Sequence, residues 1–197
     1  MAPARIGIFG GTFDPIHVGH LVAAVNVRHA LALDRVLMVV ANQPWQKAGS
    51  RSITPAEDRL AMVEAAVGGV AGLEASRLEI DRGGPSYTAD TVSEVAALHP
   101  EALLFCVVGA DVAEELSTWE RSEVIAELST LVVVNRPGAP PPGQLEGWTV
   151  VEVVVPALEV SSTDLRARAA DGRPLDYLVP DAAVHCIRAR GLYAAGR

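Results

Sequence analysis

The stretch GIFGGTFDPIHVGH, residues 7–20, joins a short apolar segment to a helical pattern. The segment RIGIFG, which it continues, predicts a strand. Residues 17–33 predict a helix, because their apolar side chains recur every three or four positions. The glycine-rich junction is therefore expected at the carboxyl end of the first strand. In open α/β sheets this is the edge where ligands bind.

The rest of the chain repeats this alternation of short apolar segments and amphipathic helices. Strands are predicted at residues 5–10, 35–41, 73–80, 102–109, 130–137 and 149–156, and helices at 17–33, 54–67, 88–99, 121–129, 161–170 and 180–193. Near-continuous apolar strands that alternate with helices predict a parallel sheet covered on both faces. We therefore expect a doubly wound α/β fold with a small helical part at its C-terminal end.

One helix start carries a specific capping pattern. In TPAED, residues 54–58, Thr54 is the predicted N-cap, Pro55 the first helical residue and Glu57 the third. This is the arrangement of a capping box. We therefore expect the helix to begin directly after Thr54.

The composition favours one domain and narrows the choice of partners. The chain has 197 residues, half of them hydrophobic, so we expect a single domain over residues 1–197, with the Pro/Gly-rich stretch 136–147 as a surface connection. A formal net charge of −8 argues against a nucleic-acid partner, because surfaces that bind duplexes are usually basic. No apolar run approaches the roughly 18 residues that a membrane helix needs. Self-association of the apolar helix surfaces is compatible with the sequence, which leaves the oligomeric state open.

The cysteines indicate the compartment. Cys106 and Cys186 lie far apart, each within an apolar or helical pattern, which predicts two buried free thiols. Free thiols are typical of a reducing compartment, so we expect a cytoplasmic protein.

The junction at residues 10–20 has the features of a phosphate site. Gly10 and Gly11 would allow close approach of a ligand and a positive φ, and the helix that follows offers unpaired N–H groups. The glycines alone are a weak signal, because they match neither of the common phosphate-loop motifs. His17 and His20, three positions apart in the first helical turn, can donate ring N–H groups to the same ligand. Two alternatives are a pair without function and a metal pair with Asp14 as the nearby third ligand.

Two segments resemble the signatures of the nucleotidylyltransferase superfamily. GGTFDPIHVGH is similar to its (H/T)-x-G-H signature, and VSSTDLR, residues 160–166, is similar to its second signature at the start of a late helix. Residues 161–163 also have the composition of a helix cap. Two signatures in the expected order, near opposite ends of the chain, make a chance match improbable.

Three interior segments resemble the bacterial nicotinate-nucleotide adenylyltransferases in particular. They are GPSYTADT at 84–91, VVGADVAEELSTWERSEVI at 107–125 and VVVNRPG at 132–138. One segment departs from the family, since NQPWQK at 42–47 stands where members more often have proline-proline-histidine-lysine. Lys47 keeps the position of the family's cation.

The resemblance implies a Rossmann-like fold and transfer of AMP from ATP to nicotinate mononucleotide, which gives deamido-NAD and pyrophosphate. It assigns catalysis to His17, His20 and Arg166. It assigns ATP binding to Phe9, Gly10, Gly11, Thr12, Lys47, Gly109, Asp111, Ser162 and Thr163. It assigns nicotinate mononucleotide binding to Thr88, Trp119 and Arg136. Mg²⁺ would arrive on the ATP phosphates, without a metal site of the protein's own.

Several of these residues have structural alternatives. Trp119 could stack on a pyridine ring or pack between two helices. Asp111 could accept ribose hydroxyls or cap a helix, and Arg136 could contact substrate or only end a strand. Asp14 is expected to order the turn before Pro15.

The sequence leaves other functions open. The acceptor could be nicotinamide mononucleotide or phosphopantetheine, although Trp119 and the segment SYTADT argue against the latter. A nucleotide-binding module without catalysis would have little use for His17, His20 and Arg166 together. A dehydrogenase is disfavoured, because the chain lacks G-x-G-x-x-G followed by an acidic residue.

Overall fold

The apolar segments form a six-stranded sheet in the part of the chain that the structure describes. The structure is a computed structural model that describes residues 2–44, 52–113, 116–141, 143 and 145–194. The strands are β1 (Arg5–Gly11), β2 (Arg35–Val40), β3 (Leu73–Ser76), β4 (Leu103–Gly109), β5 (Thr130–Asn135) and β6 (Val150–Val154). Every strand pair is parallel, and the order across the sheet is β3-β2-β1-β4-β5-β6.

Helices cover both faces of the sheet. They are α1 (Val18–Ala30), α2 (Ala56–Val67), α3 (Leu78–Arg82), α4 (Thr88–Leu98), α5 (Ala110–Ala113), α6 (Ser122–Leu128), α7 (Ser162–Asp171) and α8 (Asp181–Ala189), with a 3-10 turn at Leu116–Thr118. One hydrophobic core joins the sheet to α1, α2, α7 and α8, and a second joins the opposite face to α4, α5 and α6. The predicted doubly wound α/β fold is therefore confirmed.

The strand order explains where a ligand can enter. β1 lies in the middle and pairs with both β2 and β4, so that Ile8 has Leu37 on one side and Cys106 on the other. From β1 the chain continues through β2 and β3 to one edge of the sheet. It then returns to β4, on the other side of β1, and continues through β5 and β6 to the opposite edge. The crevice between the carboxyl ends of β1 and β4 is therefore the switch point of the fold.

The prediction of a strand over residues 73–80 is wrong in its second half. β3 ends at Ser76, and the short helix α3 starts at Leu78. An ion pair between Arg77 Nε and Asp81 Oδ1, 2.8 Å long and four positions apart, supports the helical conformation. The turn brings Glu79 to a buried position.

The predicted capping box at Thr54 is also wrong. Pro55 is the N-cap of α2, with φ −47° and ψ 143°, and no side chain caps the helix. Thr54 is engaged elsewhere: its carbonyl accepts a hydrogen bond from Arg59 Nε, and its side chain hydrogen-bonds the hydroxyl of Tyr193. Thr54 therefore makes tertiary contacts instead of capping the helix as the local pattern had predicted.

The last helix is shorter than expected. α8 ends at Ala189, and the chain turns through residues 190–193 with a hydrogen bond from Leu192 N–H to the Ile187 carbonyl. Both cysteines are free as predicted, although Cys186 on α8 is only partly buried. Of the helices that the structure describes, none has the length and apolar composition that crossing a bilayer requires.

The sheet centre should dominate stability. Leu131 on β5 has 0% exposure, so Leu131→Ala should lower the free energy of unfolding by about 2–5 kcal/mol, measured by urea unfolding followed by circular dichroism. Leu98→Ala is the matched control, because Leu98 is 59% exposed at the end of α4 and should cost less than about 1 kcal/mol. Equal costs at the two positions would contradict the placement of the core.

Candidate active site

A cavity of about 350 Å³ opens at the carboxyl ends of β1 and β4. It lies at the switch point of the sheet, where the sequence predicted a ligand. Eight of the predicted site residues line it: Phe9, Gly10, Gly11, Thr12, Thr88, Gly109, Asp111 and Trp119. The fold therefore gathers residues from four separate segments of the chain around one space.

The two glycines at the end of β1 act differently from each other. A Cβ on Gly11 would lie 2.7 Å from the Phe13 ring, so the packing of Phe13 requires glycine there. A Cβ on Gly10 would meet nothing within 4 Å, which leaves open space for a ligand. The expectation of positive φ at these glycines is wrong, because both belong to the extended strand; the positive φ of 48° falls on Phe13.

His17 and His20 lie beside the cavity lining and are stacked on each other. Their ring centroids are 3.7 Å apart with 23° between the planes. Phe9, which lines the cavity, meets the His20 ring edge-on at 6.4 Å between centroids. The pair therefore sits at the start of α1 directly behind the open space at the end of β1.

A backbone contact fixes the tautomer of His20. The backbone N–H of His17 donates to His20 Nδ1 at 3.2 Å. Because an N–H group can only donate, Nδ1 must carry a lone pair, and the ring proton of neutral His20 is on Nε2. His20 therefore has an N–H donor on the nitrogen that points away from the backbone of His17.

His17 is neutral in the folded protein at physiological pH. It is the N-cap of α1 and 8% exposed, and burial lowers its pKa to about 4. Its Nδ1 atom is buried and faces the first turn of α1, toward the backbone N–H of His20, in the arrangement of a capping box, although no hydrogen bond of good geometry forms there.

The second signature is docked against the first. Ser162 Oγ donates to the Pro15 carbonyl at 2.9 Å, and Arg166 Nη1 donates to the Asp14 carbonyl at 2.7 Å. Arg166 Nη2 also donates to Thr163 Oγ1 at 3.2 Å. The predicted cap is confirmed at Ser161, whose side chain accepts from the Asp164 N–H at 3.2 Å. The N-terminus of α7 thus lies beside the loop between β1 and α1.

Asp111 and Trp119 contribute from the segment after β4. Asp111 lies inside α5, so the alternative that it is an N-cap is wrong. A Cβ on Gly109 would lie 2.5 Å from Asp111 Oδ1, so a side chain at position 109 would displace that carboxylate from its observed place. Trp119 packs on the second core and also lines the cavity, while its indole Nε1 is buried and makes no hydrogen bond among the described residues.

Arg136 is a predicted site residue that is not among those lining the cavity. Arg136 follows the last residue of β5 and is exposed, with its backbone N–H donating to Asn135 Oδ1 at 2.9 Å. This fits the alternative in which it only ends the strand. Lys47 lies outside the described residues.

The metal-pair alternative lacks a ligand set. Among the described residues, no three His, Cys, Asp or Glu side chains are grouped so that they could hold a metal ion. Asp14, the candidate third ligand, instead accepts a hydrogen bond from Tyr193.

Comparisons with known proteins agree with this geometry. The profile of the cytidylyltransferase-like family matches residues 8–168. A probable nicotinate-nucleotide adenylyltransferase from Corynebacterium kroppenstedtii is 48% identical, over 96% of this chain and 90% of its own length. One from Streptomyces coelicolor is 47% identical, over 93% of this chain and 98% of its own.

The chain belongs to the nicotinate-nucleotide adenylyltransferase family. A solved structure of similar fold is the Plasmodium falciparum nicotinic acid mononucleotide adenylyltransferase complexed with NaAD, with a TM-score of 0.77, 17% identity and coverage of 96% of this chain and 97% of that one.

In this adenylyltransferase, Arg59 organises the loops around the site. It is 1% exposed on α2 and donates to the carbonyls of Thr12 and Thr54 at 2.8 Å and of Asn42 at 3.0 Å. Sequence reasoning missed it, although an arginine in the apolar pattern RLAMV was a signal. A buried arginine needs partners, and here they are the backbones of three segments.

Glu79 is the second residue that was missed, because residues 77–80 were assigned to a strand. It is 6% exposed, lines the cavity, and accepts from Thr91 Oγ1 at 2.5 Å. Burial raises the pKa of Glu79, although hydrogen bonds from Ser86 and Thr91 oppose that rise. Ser86 Oγ in turn accepts from the Asn42 N–H at 2.8 Å. Glu79 thus helps to hold the segment that carries Thr88 against the end of β2.

The buried His17 makes stability pH-dependent. Its pKa is 6.5 when exposed and about 4 when folded, so below pH 6.5 the unfolded chain binds a proton that the folded chain does not. Stability should therefore fall between pH 6.5 and 4, by up to about 3 kcal/mol. Urea unfolding at stepped pH should give a shallower decline for His17→Gln. His29→Gln, at an exposed position of α1, should keep the wild-type decline, and identical slopes for wild type and His17→Gln would contradict the assignment.

Proposed function

We propose that this protein transfers the adenylyl group of ATP to the 5′-phosphate of nicotinate mononucleotide, releasing pyrophosphate and forming deamido-NAD. The observation that carries the proposal is the cavity at the switch point, lined on one side by residues 9–12 at the start of the first signature and on another by Trp119 and Thr88. The second signature is docked on the loop of the first, through Ser162 and Arg166. Family membership supports the same reaction.

The reaction requires positioning rather than a protein nucleophile. An oxygen of the mononucleotide phosphate attacks the α-phosphorus of ATP and forms a new P–O bond. The bond from the α-phosphorus to the bridging oxygen breaks, and pyrophosphate leaves with the electron pair. Such transfers depend on alignment and on neutralising charge at the phosphorus.

The histidines are proposed to hold the phosphates and to stabilise the charge that develops on the α-phosphate. The Nε2–H of His20, set by the contact to Nδ1, is a ready donor. The open space at Gly10 allows the phosphates to approach the strand, with Phe9, Gly11 and Thr12 shaping the same surface.

The N-terminus of α7 is proposed to bind the leaving pyrophosphate. α7 has ten residues, and its first turn presents N–H groups and a positive dipole end. Ser162, Thr163 and the Arg166 guanidinium lie in that turn, beside the β1–α1 loop. Lys47 is proposed to add a cation from the segment after β2.

The other side of the cavity is proposed to bind the nucleoside parts. Asp111, next to Gly109, would accept ribose hydroxyls of ATP. Trp119 would stack on the pyridine ring, and Thr88 at the first position of α4 would offer its N–H and hydroxyl to the nicotinate carboxylate. Arg136 remains a proposed contact at the end of β5.

We also propose that Mg²⁺ accompanies ATP. The groups at the phosphate signatures are hydroxyls, N–H donors and a guanidinium, which bind phosphate oxygens rather than a metal. Mg²⁺ prefers phosphate oxygens and water, and it would neutralise charge on the triphosphate. We further propose that residues 1–197 act as one domain in the cytoplasm; the hydrogen bond from Tyr193 to Asp14 and the two free thiols support this.

The activity is tested by pyrophosphate release from ATP and Mg²⁺ with three acceptors in parallel. We expect kcat/KM to be highest with nicotinate mononucleotide, lower with nicotinamide mononucleotide, and release to be absent with phosphopantetheine.

His20→Ala should lower kcat by on the order of 100-fold, as loss of one transition-state donor does, with an unchanged circular dichroism spectrum. His185→Ala, at an exposed position of α8, is the control. Pyrophosphate release only with another acceptor would contradict the proposed substrate. Release with none of the three acceptors would contradict the proposed reaction.

Trp119 is tested by its effect on one substrate only. Trp119→Ala should raise KM for nicotinate mononucleotide about tenfold, because stacking contributes about 1 kcal/mol, and should leave KM for ATP unchanged. Trp148→Ala is the matched control, since Trp148 lies outside the cavity lining. An equal rise in both KM values would instead indicate general loss of packing.

A further inference from the structure

A chain of hydrogen bonds links the C-terminal turn to the phosphate site. The hydroxyl of Tyr193 donates to Asp14 Oδ1 at 2.7 Å, and the carbonyl of Asp14 accepts from Arg166 Nη1 at 2.7 Å. Asp14 thus connects two residues that lie 179 and 152 positions farther along the chain. One residue after Asp14, the carbonyl of Pro15 accepts from Ser162 Oγ.

The centre of this network is buried, and its hydrogen bonds have a fixed direction. Asp14 is 1% exposed, and Tyr193 packs against the core that contains α2 and α8. Burial and the neighbouring Asp14 both raise the pKa of the Tyr193 hydroxyl, so it stays protonated and donates. The side chain of Thr54 hydrogen-bonds the same hydroxyl.

We propose that Tyr193 is a positioning residue of the phosphate site, whose hydroxyl acts through Asp14 to place the loop leading to His17 and the guanidinium of Arg166. The inference rests on the proposed function, because it assigns Tyr193 to the binding of ATP phosphates.

The geometry gives the reason. The side chain of Asp14 is held by Tyr193, and its backbone is the anchor of Arg166, so a rotation of this one residue moves both signatures. The chain reaches His17 three residues later without another turn of helix or strand. A displacement of about 1 Å in a positioning element is enough to cost on the order of 100-fold in rate. Trp119 and Thr88 are not part of this network, so the mononucleotide side of the cavity should be unaffected.

The test compares two tyrosines. Tyr193→Phe should raise KM for ATP or lower kcat by about tenfold, while KM for nicotinate mononucleotide stays within about twofold. Tyr177→Phe is the matched control, because Tyr177 is 93% exposed and shares a positive φ of 63° with Tyr193. It should match the wild type in all three constants. A lower Tm of Tyr193→Phe with unchanged kinetic constants would overturn the proposal in favour of a merely structural role.

A double-mutant cycle tests the path through Asp14. Asp14→Asn keeps an oxygen that accepts from Tyr193 and should retain most activity, whereas Asp14→Ala should lose as much as Tyr193→Phe or more. Tyr193→Phe combined with Asp14→Ala should be no worse than Asp14→Ala alone, because both changes interrupt the same path. Additive losses of activity in the double variant would contradict a shared path through Asp14.

Calorimetric titration with ATP and Mg²⁺, without acceptor, separates this inference from the proposed function. Weaker binding by Tyr193→Phe than by Tyr177→Phe supports the inference even if nicotinate mononucleotide proves not to be the acceptor. Equal ATP binding together with equal kinetic constants overturns the inference and leaves the function intact. A wild-type protein that binds no ATP overturns both.

Discussion

The arrangement of the site depends on one buried charge, the guanidinium of Arg59. Removing a cation from water is costly unless hydrogen bonds replace the solvent, and here the replacements are the carbonyls of Thr12, Asn42 and Thr54. These carbonyls belong to the segments that follow β1, follow β2 and precede α2. Because the buried guanidinium needs hydrogen-bond acceptors, the three segments that supply them are held close together around Arg59. One of these carbonyls belongs to Thr12, which lines the cavity, so Arg59 also holds part of the cavity wall.

The proposed phosphate site relies on hydrogen-bond donors and dipoles more than on net charge. His17 is neutral, the proton of neutral His20 is on Nε2, and two helices present their N-termini. This is consistent with a protein whose formal net charge is −8, which gains no general attraction for polyanions. Donors at fixed positions recognise a phosphate by its shape, and a neutral histidine beside a triphosphate avoids the cost of a buried, permanently charged pair.

Much of the fold and part of the site could be predicted from the sequence. Apolar strands that alternate with helices were sufficient to predict the parallel sheet, and the glycine-histidine junction marked the correct edge of it. The errors arose where tertiary contacts outweigh local pattern. Thr54 has the composition of a cap, but its carbonyl accepts a hydrogen bond from Arg59 and its side chain contacts Tyr193. Glu79 lies in an alternating segment that predicted a strand, but the strand ends at Ser76 and Glu79 accepts a hydrogen bond from Thr91 on α4. Arg59 and Tyr193 contact residues that are far from them in the sequence, so the pattern of neighbouring residues could not predict these contacts.

The thiol of Cys106 has a chemical consequence. It belongs to the cavity lining, yet burial raises its pKa to about 12. The thiol therefore stays protonated at neutral pH. Because the thiolate is the form that reacts with peroxides and alkylating agents, this surface is chemically inert despite containing sulfur. Oxidative conditions that inactivate enzymes with exposed low-pKa cysteines should leave this cavity intact.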